Sequence, residues 1–327
     1  MNITVLDDYQ NMVRQLDAFK LVAGHNVTIW NDHTKDNDLL AERLKDTEAL
    51  VLIRERTPIR APLIARLSKL KLISQRSVYP HIDVPALTER GILLCSDMHP
   101  GRPSYATAEL TWGLVLSAMR KIPQEVAALK AGRWQSTMGL GLRGKTLGIY
   151  GYGRIGAVVA GYGKAFGMKV LVWGRDTSIE RARADGYSAA RNKDAFFEEC
   201  DVISLHLRLI EATRGIVKPA DLARMKPTAL IVNTSRAPLI ETGALEAALK
   251  AGRPGMAAVD VFESEPVLDA AHPLIAMDNA VCTPHIGYVE RAGYEGQFTS
   301  SFGQILAYAE GKPINVVNAE ALQNLRK

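Results

Sequence analysis

Short runs of apolar residues alternate with amphipathic stretches along almost the whole chain. In the first part of the chain the apolar runs are ITVLD (3–7), VTIW (27–30), ALVLI (49–53), LKLIS (70–74) and ILLC (92–95). Between them, segments such as DLLAERLKD (38–46) and APLIARLSK (61–69) space their apolar residues as helices do. Strands that alternate with helices predict a parallel sheet covered by helices on both faces.

A second series of apolar runs follows a break rich in proline and glycine, MHPGRPS (98–104), and one long helical pattern over 104–134 that Pro123 interrupts. The runs are TLGIY (146–150), KVLVW (169–173), DVISLHL (201–207), ALIVNTS (229–235), AAVDVF (257–262) and AVCTP (280–284). Their order predicts a doubly wound nucleotide-binding domain. The tail is predicted to begin with a helix, RAGYEGQFTSSFGQILAYAEG (291–311), and to return to the first domain.

The two series predict an α/β fold with two doubly wound parallel-sheet domains. We expect residues 101–287 to form a Rossmann dinucleotide-binding domain. Residues 1–100 together with 288–327 are expected to form a flavodoxin-like substrate domain. The break and the long helical pattern are the expected crossover between the domains.

Composition and charge exclude several classes of protein. The 327 residues are 47% hydrophobic and 23% charged, and the net charge of +5 is small for this length. The basic residues form no run or stripe, so nucleic-acid binding is not indicated, although the slight positive balance suits a small anionic substrate. No apolar run nears the roughly 20 residues that span a membrane, and the amino terminus lacks a signal-type apolar core. A cytoplasmic protein is therefore expected, with no membrane partner.

The three cysteines, Cys95, Cys200 and Cys282, are far apart in the sequence. None belongs to a CxxC pair, so the sequence predicts neither a disulfide framework nor a bound metal. The cysteines are expected to be small buried residues in a reducing compartment.

The clearest local motif is TLGIYGYGRIGAVVA (146–160), in which Gly151, Gly153 and Gly156 fit the pattern G-x-G-x-x-G. The motif follows an apolar strand and opens an apolar-periodic helix, which is the context of a dinucleotide-binding loop. The first glycine allows a tight turn, the second a close approach of the backbone to a pyrophosphate, and the third close packing of helix on strand. We therefore expect a bound dinucleotide.

The end of the next strand, VWGRD (172–176), bears on the choice between NAD and NADP. An acidic residue at this place binds the ribose 2′-hydroxyl, whereas a basic residue suits the 2′-phosphate of NADP. Here the expected acidic position is Gly174, followed by Arg175, and Asp176 comes two residues late. The pattern favours NADP(H), with Arg175 at the phosphate, and leaves NAD(H) open because Asp176 could reach the ribose.

Charged residues stand at the ends of three further strands: Arg236 in VNTSRAP, Asp260 and Glu265 in VDVFESEP, and His285 in TPHIG. Ligands of open α/β sheets bind beyond the carboxyl ends of the strands. We therefore expect these side chains to converge despite their separation in the sequence.

Four motifs in order, GYGRIG, NTSR, VDVFESEP and TPHIG, together with PGRPSYATAEL (100–110), resemble those of the D-isomer-specific 2-hydroxyacid dehydrogenases. That family includes phosphoglycerate, glycerate/hydroxypyruvate and D-lactate dehydrogenases, and the resemblance covers most of the chain. It implies NAD(H) or NADP(H) as the cofactor, a homodimer, and a catalytic trio of Arg236, Glu265 and His285. It also implies that further residues line the cofactor, namely Arg154, Ile155, Thr234, Asp260 and Gly287.

The residue types of the trio suit the reduction of a 2-keto acid to a D-2-hydroxy acid. The cofactor supplies a hydride to the carbonyl carbon, and an imidazolium can supply the proton for the oxygen. His285 is the expected acid/base, and Glu265 is expected to favour its charged form and to orient the ring. Arg236 is expected to bind the substrate carboxylate or carbonyl with paired donors. Pro284 and Gly287 are expected to hold the histidine loop and leave space for the substrate.

Two arginines indicate where the far end of the substrate is bound. VLIRERTPI (51–59) ends a strand of the first domain with Arg54 and Arg56, and it resembles a stretch of phosphoglycerate dehydrogenases whose arginines face the substrate. Two guanidinium groups suit a second anionic group on the substrate, and a solvated pair of arginines with Glu55 between them stays open as the alternative. The resemblance of the whole chain to the family, rather than these two arginines, implies a substrate of the glyoxylate, hydroxypyruvate or phosphohydroxypyruvate class.

The neighbouring loop, SQRSVYPHID (74–83), departs from the family pattern. Tyr79, Pro80 and His81 stand where the family usually has a glycine-rich sequence that binds the substrate carboxylate through backbone amides. Ser77 and Val78 are expected to offer their amides instead.

Two rival functions follow from the same fold. A formate-type dehydrogenase has glutamine in place of Glu265, so the sequence argues against this class. A cofactor-sensing binding protein, such as the corepressors built on this fold, can keep the same trio and stays open as the alternative, because a fold does not fix a function.

Overall fold

The computed structural model describes residues 1–98 and 105–324. Two compact units are formed: unit 1 is Met1–Gly101 with Glu290–Lys327, and unit 2 is Arg102–Val289. The predicted break over 98–104 lies outside the described residues except for Met98.

Unit 1 is built on a sheet of five parallel strands. In chain order they are β1 (Asn2–Val5), β2 (Asn26–Ile29), β3 (Ala49–Val51), β4 (Leu72–Arg76) and β5 (Leu93–Asp97). Their order across the sheet is β2-β1-β3-β4-β5, which confirms the predicted flavodoxin-like fold. The interior strand β3 is buried along its whole length, as its continuous apolar run requires.

Unit 2 is built on a sheet of seven parallel strands. They are β6 (Thr146–Tyr150), β7 (Lys169–Trp173), β8 (Ser188–Ala189), β9 (Val202–Leu205), β10 (Leu230–Asn233), β11 (Met256–Val259) and β12 (Ala280–Cys282). The order across the sheet is β12-β11-β10-β9-β6-β7-β8, which confirms the predicted Rossmann fold. The order reverses between β6 and β9, and ligands of such sheets bind beyond that point. The sequence did not predict β8 because it has only two residues.

Helices cover the sheets and connect the strands. The α-helices of the described chain are α1 (Asn37–Leu44), α2 (Ala61–Ile64), α3 (Val84–Glu89), α4 (Ala106–Met119), α5 (Ile122–Lys130), α6 (Arg154–Ala165), α7 (Asp176–Ala184), α8 (Lys193–Glu199), α9 (Pro219–Arg224), α10 (Ala244–Lys250) and α11 (Arg291–Ala309). One layer of the unit 2 core is aromatic. Phe196 and Phe197 of α8 are fully buried and contact the ring of Tyr150 edge-on.

Several predicted strands were too long at their carboxyl ends. β9, β10 and β11 end at Leu205, Asn233 and Val259. The residues that follow, among them Thr234 and Asp260, are 7% and 1% exposed, so the buried pattern continues past the hydrogen-bonded ladder. Polar side chains are therefore buried directly at the carboxyl edge of this sheet.

The helical pattern over 104–134 forms two helices with the break displaced from Pro123. α4 ends at Met119, Lys121 has a left-handed conformation with φ of +55°, and α5 begins at Ile122. Pro123 lies in the first turn of α5, where its fixed φ and missing N–H favour the start of a helix. The prediction that Pro123 interrupts the helix was therefore wrong by two residues, because proline is disfavoured inside a helix but suits its beginning.

The carboxyl-terminal segment returns to the first sheet, within unit 1. Phe298 and Phe302 of α11 are fully buried, and the Ser74 hydroxyl of β4 donates to the Ser301 carbonyl at 2.8 Å. Farther along, Val316 forms an isolated antiparallel bridge with Cys95.

The cysteines form no disulfide. Cys95 and Cys200 are buried, and Cys282 is half-buried. Burial raises the pKa of the Cys95 thiol to about 12 and that of Cys282 to about 11. Across residues 1–98 and 105–324, none of the helices has the length and apolar character to cross a membrane.

Candidate active site

The glycine loop joins β6 to α6, and its three glycines differ in their surroundings. Gly151 has φ of +97°, and a Cβ there would lie 2.8 Å from the carbonyl oxygen of His206. A Cβ on Gly156 would lie 2.4 Å from the carbonyl oxygen of Gly151. A Cβ on Gly153 would meet nothing within 4 Å. The packing of the chain therefore requires the first and third glycines, whereas the second leaves the backbone open to a ligand.

The open backbone lies at the N-terminus of α6, which begins at Arg154 with Gly153 as its N-cap. First-turn N–H groups lack intrahelical acceptors, and the helix dipole adds partial positive charge, so this end attracts anions. Arg154 is exposed and Ile155 is half-buried. The loop is anchored by Tyr152, whose hydroxyl donates to Asp185 at 2.7 Å and which the sequence did not single out. These residues fit the pyrophosphate of a dinucleotide.

The residues predicted to distinguish NADP from NAD follow β7. Gly174 comes directly after the strand, Arg175 is the N-cap of α7, and Asp176 is the first residue of that helix. Arg175 and Asp176 are both exposed. A Cβ on Gly174 would lie 3.7 Å from the Cα of Gly151, so the end of β7 adjoins the glycine loop.

Asp260 holds the loop that carries the candidate catalytic histidine. Its Oδ1 accepts from the Thr283 hydroxyl at 2.6 Å and from the Ile286 N–H at 2.8 Å. Its Oδ2 accepts from the Gly287 N–H at 2.8 Å. The side chain is buried, and burial raises the pKa of Asp260 against the opposing effect of these donors and of the charge of His285. Donors thus flank His285 on both sides and converge on one carboxylate.

His285 itself has a left-handed backbone conformation, with φ of +52°. Such a conformation is strained for a residue other than glycine and persists only where the surroundings hold it. Its Nδ1 lies 2.5 Å from Oε2 of Glu265, and the ring of Tyr288 packs edge-on at 5.6 Å between centroids. Within the described part of the chain, Nε2 has no hydrogen-bond partner, so this nitrogen is available to a ligand.

Hydrogen bonds to both carboxylate oxygens orient the side chain of Glu265. Oε1 accepts from the Phe262 N–H at 2.9 Å, while Oε2 faces His285. Burial acts to raise the pKa of Glu265, but the hydrogen bond and charge of His285, the Phe262 N–H and the charge of Arg236 together hold the pKa below its usual value. Glu265 is therefore ionised at neutral pH and favours a charged imidazole beside it.

Arg236 follows β10 in a loop that its neighbours fix. The side chain of Asn233 accepts from the Ser235 N–H at 3.0 Å and donates to the Arg236 carbonyl at 2.9 Å. The Ser235 hydroxyl donates to the Leu205 carbonyl at 2.7 Å. The charge of Arg236 also helps to lower the pKa of Glu265. All three predicted residues lie in unit 2, and the structure places His285 and Glu265 in direct contact.

Two threonines of α4 connect the loops of the site, and the sequence analysis missed them. Thr111 shares a hydrogen bond of 2.7 Å with Thr234, and Thr107 donates to the Gly287 carbonyl at 2.8 Å. The two threonines are four residues apart and so lie on one face of the helix. That spacing is their only signal in the sequence, since a threonine in an apolar helix indicates no partner by itself.

The predicted arginines of the substrate domain lie after β3 in unit 1. Arg54 has φ of +58°, and its Nε lies 3.8 Å from Oε2 of Glu55. Arg56 is held more firmly, because its Nη1 donates to the Asp7 carbonyl at 2.5 Å and its guanidinium stacks 4.5 Å from the ring centroid of Tyr9. Both arginines are half-buried. Because they follow the carboxyl end of β3, their positive charge lies at that edge of the sheet.

Of the two amides expected to bind the substrate carboxylate, one is already used. The Ser77 N–H donates to the Asp97 carbonyl at 3.0 Å, so the expectation that Ser77 offers this amide does not hold in this conformation. Val78 differs, because its N–H makes no hydrogen bond to any residue that the structure describes. The side chain of Gln75 fixes this loop by donating to the carbonyl oxygens of Ser77 and Val78 at 3.1 and 3.2 Å.

Two other histidines, the half-buried His206 and the buried His81, differ from His285 in their surroundings. His206 shares a hydrogen bond of 2.9 Å with Ser204, and burial lowers its pKa to about 4. His81 lies in the loop that departs from the family pattern, and burial lowers its pKa to about 4 as well. Both rings are therefore neutral near pH 7 and cannot serve as proton donors of the imidazolium type.

The chain is similar to proteins of one family. The family model for "D-isomer specific 2-hydroxyacid dehydrogenase, NAD binding domain" matches residues 112–287. A glyoxylate reductase of Aeropyrum pernix is 35% identical over 321 residues, which is 94% of each chain. A D-3-phosphoglycerate dehydrogenase of Methanocaldococcus jannaschii is 39% identical over 85% of this chain and 53% of its own. A crystal structure from Ralstonia solanacearum, described as a D-3-phosphoglycerate dehydrogenase oxidoreductase, is 53% identical, with a TM-score of 0.93 and 98% of both chains covered.

Replacing Gly153 by Ala tests whether the open backbone binds the cofactor. The added methyl group meets nothing within 4 Å, so the fold should tolerate it. It occupies the place where a pyrophosphate must approach, and we expect the Kd for reduced cofactor to rise about tenfold or more, as measured by fluorescence titration.

Gly161→Ala is the matched control, because Gly161 lies on the same helix and a Cβ there also meets nothing within 4 Å. Its Kd should stay within about twofold of the wild-type value. Equal affinities for the two variants would contradict the assignment of Gly153.

Proposed function

The chain belongs to the D-isomer-specific 2-hydroxyacid dehydrogenase family, and we propose that it reduces a small 2-keto acid to the D-2-hydroxy acid, or catalyses the reverse, with His285 as the acid/base. Members of this family transfer a hydride between a nicotinamide cofactor and such acids, and this chain is an NAD(P)-dependent oxidoreductase of that kind. The observation that carries the proposal is the 2.5 Å hydrogen bond between His285 and Glu265 in a loop that Asp260 holds.

Each residue of the trio has a distinct part in the proposed reaction. The bound nicotinamide supplies the hydride for the carbonyl carbon. His285 donates a proton from Nε2 to the carbonyl oxygen, because Glu265 already occupies Nδ1. The carboxylate of Glu265 stabilises the imidazolium and fixes the orientation of the ring. Arg236 binds the substrate carboxylate or carbonyl with paired donors. In the reverse direction neutral His285 accepts the proton.

We propose that residues 1–100 with 288–327 bind the substrate and that residues 101–287 bind the cofactor. Arg56 supports a substrate with a distal anionic or hydroxyl group, because Asp7 and Tyr9 fix its guanidinium before any ligand binds. Arg54 adds charge beside it, and the Val78 amide is a donor for the substrate carboxylate. Glyoxylate, hydroxypyruvate and phosphohydroxypyruvate are the proposed class, which the names of the relatives support. The distal group that Arg56 would bind is present in hydroxypyruvate and phosphohydroxypyruvate and absent from glyoxylate.

The first test is reduction of a panel of 2-keto acids, followed by the loss of absorbance of NADH or NADPH. The panel contains glyoxylate, hydroxypyruvate, pyruvate and phosphohydroxypyruvate. We expect turnover of at least one of them, and a fall in kcat of about 10²–10⁴-fold in His285→Ala because the proton donor is lost. His206→Ala is the control for loss of an imidazole. A protein that binds cofactor but reduces none of these acids would instead support a cofactor-sensing binding protein.

The preference for NADP(H) is proposed from Arg175. Arg175 is exposed two residues after β7, next to Gly174, which adjoins the glycine loop, so its guanidinium can pair with a 2′-phosphate. Gly174 removes the side chain that would otherwise bind the ribose hydroxyls. Asp176 lies in the first turn of α7, where its negative charge stabilises the helix through the helix dipole. This structural role accounts for the acid without a contact to the ribose.

Arg175→Ala should weaken NADPH binding about tenfold or more and leave the Kd for NADH within about twofold, since only NADPH carries the phosphate. Titration calorimetry with both cofactors measures this difference. Arg183→Ala is the matched control, because Arg183 is an exposed arginine of the same helix. A wild-type protein that binds NADH more tightly than NADPH would refute the preference.

A homodimer is proposed from an apolar face of α5 in unit 2. Ile122, Val126 and Leu129 are spaced as one helix face and are 45%, 48% and 59% exposed. Trp134 and Met138 follow and are 77% and 92% exposed. Adjoining exposed apolar side chains of this size mark an interaction surface, and a twofold axis lets the same face cover itself on a second copy.

Leu129→Asp should convert the dimer into a monomer, because each copy then buries an unpaired carboxylate in the contact. Light scattering after size-exclusion chromatography gives the mass of both proteins. Leu39→Asp is the control, since Leu39 is a leucine of α1 that is 44% exposed and far from α5 in sequence. A monomeric wild type, or a Leu129→Asp variant that stays dimeric, would rule out this face.

A further inference from the structure

A second histidine, His272, follows Glu265 closely in the sequence. Both nitrogens of its ring make hydrogen bonds. Its Nδ1 accepts from the Leu274 N–H at 3.3 Å, at the start of the 3-10 turn Pro273–Ala276. Its Nε2 lies 3.0 Å from Oε2 of Glu263. Because Nδ1 is an acceptor, Nε2 carries the proton and donates it to Glu263. The contacts therefore specify one tautomer and one orientation of the ring.

The ring of His272 reaches the catalytic pair through Phe262. The two rings pack edge-on, with centroids 4.9 Å apart and planes at 67°. The Phe262 N–H donates to Oε1 of Glu265, whose Oε2 faces Nδ1 of His285. The contacts thus run without a gap from His272 through Phe262 and Glu265 to His285.

Stability alone does not account for the pair formed by His272 and Glu263. The side chain of Glu263 is 45% exposed, and pairs with one partner so exposed contribute little to folding. Phe262, in contrast, is 8% exposed, so its packing against the histidine ring is inside the protein. The contact that matters is therefore the ring packing, and Glu263 keeps the ring turned toward it.

We propose that His272, oriented by Glu263, is a positioning residue that holds Phe262 and so keeps the carboxylate of Glu265 aligned with Nδ1 of His285. The inference rests on the proposed function, in which His285 is the acid/base. The Phe262 N–H occupies one oxygen of Glu265, which leaves the other for the histidine. The ring of His272 packs on the ring of Phe262, so its loss frees the Phe262 side chain and with it the backbone segment whose N–H binds Glu265. The carboxylate then loses the orientation that favours the imidazolium.

Two further charged groups act on the catalytic pair and remain in any variant of His272. The charge of Arg236 lowers the pKa of Glu265, and Asp260 interacts with the charge of His285. Neither group contacts His272 by any hydrogen bond or ion pair in the described residues. A change in the titration of His285 in a His272 variant would therefore report the position of Glu265.

The test is His272→Asn, whose side-chain oxygen can still accept the Leu274 N–H but which removes the ring from Phe262. We expect kcat for 2-keto acid reduction to fall about tenfold, with KM and the cofactor Kd within about twofold. We expect the rate of reduction to fall at high pH, where an acid/base histidine no longer has a proton to donate. That fall should move to lower pH in the variant, because a displaced carboxylate favours the imidazolium less.

Three companion variants separate positioning from charge and folding. Glu263→Ala should reproduce part of the loss, and Glu263→Gln should recover most of it because the amide oxygen still accepts from Nε2–H. Glu246→Gln removes another carboxylate, which lines a surface groove together with Glu263 and His272 and pairs with Lys250. It should leave kcat and the pH profile unchanged. Thermal unfolding of each variant shows whether the fold is retained.

A loss of kcat without a shift of the pH profile would overturn the proposal in favour of a structural role, and an unchanged kcat would overturn it outright. Failure of the proposed function is a separate result, namely a wild type that reduces no 2-keto acid. In that case, NMR titration of the His285 ring in the wild type and in His272→Asn still tests the positioning role, by comparing the two titration midpoints. Equal midpoints would refute the positioning role, and a lower midpoint in the variant would support it.

Discussion

The candidate active site depends on one buried carboxylate. Asp260 accepts hydrogen bonds from Thr283, Ile286 and Gly287, and these donors flank His285 on both sides. The left-handed backbone of His285, with φ of +52°, is a conformation that costs about 1–3 kcal/mol. A hydrogen bond contributes about 0.5–1.5 kcal/mol, so the three bonds to Asp260 are together about as large as that strain or larger. The loop is therefore held in the conformation that places the imidazole against Glu265.

Two carboxylates lie near the same histidine, and their surroundings give them different roles. Burial raises the pKa of Asp260, whose oxygens are occupied by the loop donors. The pKa of Glu265 is lowered, although burial opposes this, because His285, the Phe262 N–H and Arg236 act on it together. Glu265 is thus the carboxylate that can favour and stabilise an imidazolium, while Asp260 fixes the loop. Such a division of roles by environment is common where acids and bases work side by side.

Unit 1 differs from unit 2 in how firmly the sequence defines its candidate ligand-binding residues. In unit 2, the residue types in the glycine loop and at the strand ends already indicate cofactor binding and acid/base chemistry. In unit 1, the loop after β4 uses the Ser77 amide for the Asp97 carbonyl and buries His81, so backbone contacts decide which donors remain. Arg56 is the one candidate among these unit 1 residues that the sequence already indicated by its charge. In the structure Asp7 and Tyr9 fix its side chain.

The sequence by itself determined the two parallel sheets and the glycine loop, because apolar periodicity and glycine spacing are local properties. It also pointed to Arg236, Glu265 and His285 as candidates, through their residue types at strand ends and the resemblance to a family. It did not determine the break at Lys121, the use of the Ser77 amide, the threonines of α4 or the packing of His272 on Phe262. These depend on partners far apart in the chain, such as Thr111 with Thr234, separated by 123 residues. A hydrogen bond or a ring contact between such residues exists only once the strands and helices have packed, and so only the tertiary structure decided it.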